Sequence, residues 1–90
     1  MAPIRRRVVV SGRVQGVFFR DTVRRHAVGA GVAGWVRNNR DGTVEAVFEG
    51  EPEAVERLVG VCRRGPAGAR VDRVDVLEEE PEQLSGFSVG

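Results

Sequence analysis

Apolar positions recur along this chain in two rhythms. From Ile4 to Ser11 the apolar residues are β-branched and crowded, as in an extended strand. From Arg20 to about Ala30 the rhythm changes: Val23 and Ala27 lie four apart on one helical face, and Gly29 and Gly31 mark the exit. Val32 to Asn38 and Thr43 to Glu49 predict a second and a third strand. Between them, Asn39-Arg40-Asp41-Gly42 carries the Asp-Gly signature of a hairpin turn. A second helix begins at Pro52, where a missing N–H is no loss. Its Val55, Leu58, Val59 and Cys62 follow i, i+3, i+4, i+7 and form one buried stripe. Glu51 and Glu53 sit at its positive end, Arg63 and Arg64 at its negative end, and Gly65 just past it. Arg70 to Leu77 spaces Val71, Val74 and Val76 as a half-buried strand. The acidic stretch Glu78 to Glu82 reads as a solvated loop and Phe87-Ser88-Val89 as a short last strand.

The order βαββαβ, with a short strand added at the end, predicts an α+β architecture. Two helices cover one face of an antiparallel-dominated sheet, the ferredoxin-like sandwich. The helices are short, so packing on the sheet must supply most of their stability. Trp35, Phe48 and Phe87 are expected in the core, and Cys62 is expected as a small core hydrophobe rather than a nucleophile. His26 falls on the polar side of the first helix. Of the adjacent Phe18 and Phe19, one is expected to pack inward and one to rim the following loop.

Ninety residues, 41% hydrophobic and 30% charged, suit one globular domain spanning positions 1–90. No apolar run reaches the roughly 20 residues that span a bilayer, and the first residues show no apolar signal core. A single cysteine fits a reducing cytoplasm. One Cys and one His offer no metal-site spacing, so no metal and no cofactor are expected. All fourteen basic residues are Arg, which excludes lysine-based covalent chemistry. Residues 1–40 hold nine Arg and one acid, a balance of +8, whereas residues 41–90 hold five Arg and twelve acids, a balance of −7. A basic half suits an anionic ligand or nucleic acid. For most of these Arg, a solvated surface with charges balanced elsewhere is the better reading. Arg13 and Arg37 are expected at the surface.

Chemistry is concentrated in two segments. The first, Gly12-Arg13-Val14-Gln15-Gly16-Val17-Phe18-Phe19-Arg20, joins a strand to a helix. A helix start offers unpaired N–H groups and partial positive charge. Gly16 can take angles closed to other residues and let successive amides curl around an anion. Arg20 can bind two phosphate oxygens with its planar fork. A plain connection with a surface Arg fits this segment equally well. The second segment, Gly34 to Glu45, places Asn38 at a strand end, where its amide can hold a water. Taken alone, Asn38 reads better as a turn-initiating residue.

Together the two segments resemble the acylphosphatase family. It shows a Gly-x-Val-Gln-Gly-Val-x-Phe-Arg loop, a Gly-Trp-Val-x-Asn strand and an Asp/Lys-Gly-Thr-Val hairpin. The matching residues here are Gly12, Val14 to Val17, Phe19, Arg20, Gly34 to Val36, Asn38 and Gly42 to Val44, and the likeness runs from about Val8 to Val89. The resemblance implies metal-independent hydrolysis of carboxyl–phosphate anhydrides. Backbone amides of Val14, Gln15, Gly16, Val17, Phe18 and Phe19 would cradle the phosphate, Arg20 would bind it and Asn38 would place the attacking water. It further implies an acyl phosphate as substrate and inorganic phosphate as product and inhibitor. No nucleic-acid or membrane partner is implied, and a monomer is expected. One departure lies at the end: many members close with Phe-x-Ile/Val-Arg, whereas this chain has Phe87-Ser88-Val89-Gly90, so any contribution of that Arg is missing.

Two other classes fit the same fold. A βαββαβ sheet can read RNA, but such readers stack bases on aromatic residues of central strands, and Ile4 to Ser11 holds none. A domain of a carbamoyl-transfer protein would need further chain or a partner.

Overall fold

A computed structural model describes residues 2–90. Its elements are β1 (Ile4–Arg13), α1 (Phe19–Ala30), β2 (Ala33–Asn38), β3 (Val44–Gly50), α2 (Pro52–Arg64), β4 (Arg70–Glu79) and β5 (Phe87–Val89). The described strands form one sheet in the order β4-β1-β3-β2-β5. The first three pairings are antiparallel; β5 lies parallel to β2. This is the ferredoxin-like α+β sandwich expected from the pattern, with its short terminal strand.

Alternation decides which face of the sheet is buried. On β1, Val8 and Val10 point into the core with Val36, Val44, Ala46 and Phe48 of the neighbouring strands. Against them pack Phe19, Val23 and Ala27 of α1 and the stripe Val55, Leu58, Val59 and Cys62 of α2, joined by Val61. Each buried aliphatic side chain contributes about 1.5–3 kcal/mol relative to exposure, so this shared core holds the short helices. Cys62 is fully buried, and desolvation pushes its thiol up to about 12, which leaves it an inert core group. α1 ends where Gly31 adopts φ 69° and its N–H turns back to the Val28 carbonyl at 3.3 Å. Gly29 lies inside that helix.

The strand ends differ from the sequence-based reading. β1 runs on through Gly12 and Arg13, because a bulge between Ser11 and Gly12 lets them continue to pair with Val71 and Arg70. That bulge explains the step of three between Val71 and Val74, since Asp72 is the extra residue. β4 also runs two residues further than expected. Glu78 and Glu79 are strand residues paired with Arg6 and Arg5, not part of a solvated loop. Glu79 is held by Arg5 Nε at 2.8 Å and by Arg7 Nε at 2.6 Å.

Trp35 also departs from expectation. It points to the sheet face opposite the helices and is half-buried there, between the guanidinium groups of Arg7 (5.4 Å) and Arg37 (4.8 Å). On a strand, residues two apart share a face, so Gly34 and Val36 take the buried side and Trp35 cannot. Phe48 is fully buried as expected, and Phe87 stacks on it with ring centroids 6.0 Å apart.

Arg5 and Glu49 lie on the same outer face and are nearly inaccessible at 4% and 5% exposure, joined at 2.7 Å. Glu49 also accepts the backbone N–H groups of Glu82 (2.9 Å) and Leu84 (3.1 Å), tying the segment before β5 across the sheet. Arg7 pairs with Glu45, which Arg37 meets from the other side at 3.1 Å. Four Arg of the basic amino-terminal half, Arg5, Arg6, Arg7 and Arg37, are thus paired with acids of the acidic half.

Candidate active site

β1 and β2 are each antiparallel to β3, which lies between them, so they run parallel and end at the same edge of the sheet. The segment leaving β1 and the last residue of β2, Asn38, are thereby brought to one place. The carboxyl ends of parallel strands are where open α/β sheets tend to bind ligands.

The connection from β1 to α1 is only Val14 to Phe18. Val14 is buried and anchors it. Gly16 has φ 75° and Phe18 φ 62°, while Gln15 and Val17 between and before them keep negative φ. Alternating signs of φ curl a chain so that successive N–H groups converge on one point, an anion-binding nest. Phe18 is also the N-cap of α1, and its apolar side chain supplies no acceptor for the first helical amides. Those amides stay available to an external anion. A bulky residue in the left-handed region costs about 1–2 kcal/mol, strain of the kind that clusters at functional sites. The two phenylalanines divide as expected: Phe19 is 2% exposed in the core, Phe18 80% exposed at the rim.

A cleft of about 370 Å³ opens here, lined by Val14, Gly16, Phe18, Phe19, Arg20, Asp21, Asn38 and Val89. It brings Arg20 and Asn38 to one surface, which spacing along the chain did not show. Arg20 is half-buried in the first turn of α1. Its Nη1 donates to the Gly90 carbonyl at 2.6 Å, and Gly90 is itself fixed by its N–H on the Val36 carbonyl at 2.8 Å. Nε and Nη2 carry no hydrogen bond to the described residues and remain for a ligand. Asp21, the acid at the cleft, pairs with Arg25 one turn along at 3.0 Å.

The other expected site residues fall as follows. Val17 is half-buried against the core. Gln15 turns its side chain away from any cradle role: its amide nitrogen donates to the Asn39 carbonyl (2.7 Å) and the Thr43 carbonyl (2.9 Å). In the same hairpin, Asn39 Nδ2 donates to Thr43 Oγ1 (3.0 Å) and Glu45 Oε1 (3.1 Å), and the Thr43 hydroxyl and N–H both donate to Asp41. Those two bonds from Thr43 hold the Asp41 carboxyl below the usual range. His26 and Arg13 are exposed. Arg37 is exposed too, but it is committed to Glu45 and Trp35 and does not line the cleft. Gln15 as a bridge, and Gly90 as an acceptor for Arg20, had no signal in the sequence, because their partners lie 24 to 28 and 70 positions away.

A strand-end loop of alternating φ, a helix start without a side-chain cap and a guanidinium meet in one cleft of this small α+β domain, an arrangement able to hold a tetrahedral oxyanion. The acylphosphatase family model matches residues 6–89. The acylphosphatase of Thermococcus kodakarensis is 56% identical over 89 residues, covering 99% of this chain and 98% of the relative. That of Rubrobacter xylanophilus is 65% identical over 85 residues, covering 92% and 76%. The solved structure of an acylphosphatase from Coxiella burnetii superposes with a TM-score of 0.94 at 39% identity, covering 99% of this chain and 94% of that one. This chain belongs to the acylphosphatase family. Its activity is the hydrolysis of acyl phosphates to a carboxylate and inorganic phosphate.

Proposed function

We propose that the cleft performs this hydrolysis without metal or cofactor, by attack of water directly on phosphorus. The observation that carries the reading is the single cleft shared by the nest, Arg20 and Asn38. The leaving carboxylate has a conjugate acid of pKa about 4 and needs little protonation. Phosphoryl transfer then asks mainly for positioning and for stabilisation of charge on the equatorial oxygens. The amides of Val14 to Phe19 and the free edge of the Arg20 guanidinium supply that stabilisation. The side-chain amide of Asn38 accepts from and donates to the water, aiming it in line with the leaving oxygen. Asn is no base; a phosphoryl oxygen of the substrate takes the proton. The chain works as one domain and as a monomer in the cytoplasm, on a small acyl phosphate, with neither nucleic acid nor membrane as partner.

Inorganic phosphate matches the nest and Arg20 and lacks only the acyl part. It is expected to inhibit competitively, with an inhibition constant that rises with ionic strength because charge pairing carries the binding. Steady-state kinetics on benzoyl phosphate at two salt concentrations reads this. Purely noncompetitive inhibition would place phosphate elsewhere and remove the cradle from the mechanism.

A further inference from the structure

We infer that Gln15 is a positioning residue that sets the distance between the phosphate loop and the water-holding Asn38. The inference rests on the roles given above to the loop and to Asn38. The Val14 to Phe18 loop leaves β1, whereas Asn38 ends β2, and β3 separates the two strands. Asn38 is tied to β1 only through β3, by Asn38 opposite Val44 and Val44 opposite Val10, and that ladder stops at Val10, four residues short of the loop. Among the hydrogen bonds of the described residues, those from Gln15 join this loop to the β2–β3 hairpin. Its Nε2 spends both of its N–H groups there, on the Asn39 carbonyl at 2.7 Å and the Thr43 carbonyl at 2.9 Å.

The choice of carbonyls matters. Asn39 follows Asn38 directly, and its N–H closes the hairpin on the Thr43 carbonyl at 2.9 Å. Gln15 thus grips both sides of the hairpin mouth beside Asn38, through backbone atoms that cannot move without carrying Asn38 along. The hairpin is stiff in its own right, through Asn39 on Thr43 and Glu45 and Thr43 on Asp41. A rigid hairpin clamped to the loop holds the water and the phosphorus at a set separation. Misplacement by about 1 Å can cost a hundredfold in such a reaction.

The test uses two substitutions in the full chain. Gln15→Met keeps the length and removes both donors. Its kcat on benzoyl phosphate is expected to fall at least tenfold, while the inhibition constant for inorganic phosphate stays within about threefold, because the nest amides and Arg20 remain. Gln15→Glu turns a carboxylate towards two carbonyls at neutral pH and repels the hairpin. Once protonated, the introduced carboxyl can donate one bond, so kcat relative to wild type recovers as pH falls through its titration. A merely structural role would give no such acid recovery, and this arm reads even where Gln15→Met does not fold. In an Asn38→Ala background, Gln15→Met should cost less than threefold further, since the residue it positions is gone. A folded Gln15→Met with kcat within twofold of wild type overturns the inference. So does an equal loss of kcat and phosphate affinity, or a Gln15→Glu variant whose deficit is the same at every pH. If Asn38→Ala alone keeps near-normal kcat, the failure lies in the water-positioning reading instead.

Discussion

At the scale of single residues, Arg20 and Asn38 are expected to fail in different ways. In the proposed mechanism Arg20 holds the phosphoryl group in both the ground state and the transition state. Arg20→Gln should therefore lose turnover and phosphate affinity together, and Arg20→Lys should not restore them, because an ammonium cannot present two parallel N–H groups. In the same proposal Asn38 acts on the water alone. Asn38→Ala should lower kcat by about a hundredfold or more, the usual loss for one preorganised polar group, with phosphate inhibition close to wild type. Steady-state kinetics with circular dichroism as the folding control reads both; parallel losses in the two variants would contradict the division. The residue types and their motif were legible in the sequence, as was the burial of Cys62, because burial follows local periodicity; of Phe18 and Phe19 the sequence showed that one would pack inward but not which. Trp35 was misplaced. Its size argued for the core, but strand alternation with Gly34 and Val36 assigns it to the outer face, where two Arg side chains cover it.

At the scale of elements, the outer face of the sheet behaves as one electrostatic unit. Arg7 and then Arg5 hydrogen-bond Glu79 and hold its carboxyl at about 2. Glu49 is disfavoured as an anion by burial, but the Glu82 N–H, Arg5 and the Leu84 N–H outweigh this and lower it. Glu45 is likewise lowered, with Asn39, Arg7 and Arg37 overcoming desolvation. A carboxyl whose folded pKa is depressed stabilises the fold above its unfolded value, near 4.3, and loses that contribution as pH falls towards the folded one. The urea midpoint should hold from pH 7 to about 5 and then drop steadily towards pH 2, and Glu79→Gln should flatten that acid limb. A midpoint unchanged between pH 6 and 3 would show that these pairs do not couple to folding. None of this network was legible beforehand. Arg5 and Glu79 are 74 positions apart, and an acidic run such as Glu78 to Glu82 resembles a solvated loop until a basic strand is known to lie beside it.

At the scale of the whole molecule, the βαββαβ order could be read from periodicity, but the site depends on strand order as well. Arg20 and Asn38 share a cleft because β1 and β2 run parallel with β3 between them. Only long-range pairing settles that, and no local pattern encodes it; the family motif supplied the expectation. The same limit hid Gln15, which reads as a loop residue until the hairpin is seen beneath it. The proposed site offers amides, one guanidinium and one carboxamide to an anhydride with a good leaving group. The direct test is phosphate release from benzoyl phosphate by the purified protein in excess EDTA, beside a phosphate monoester whose alkoxide leaving group needs a proton donor, whereas Asp21, the acid at the cleft, is held by Arg25. Turnover of benzoyl phosphate is expected to be undiminished by the chelator, with little or none of the monoester. Activity lost on chelation and restored by added metal, or a monoester hydrolysed as fast as the anhydride, would contradict the proposal.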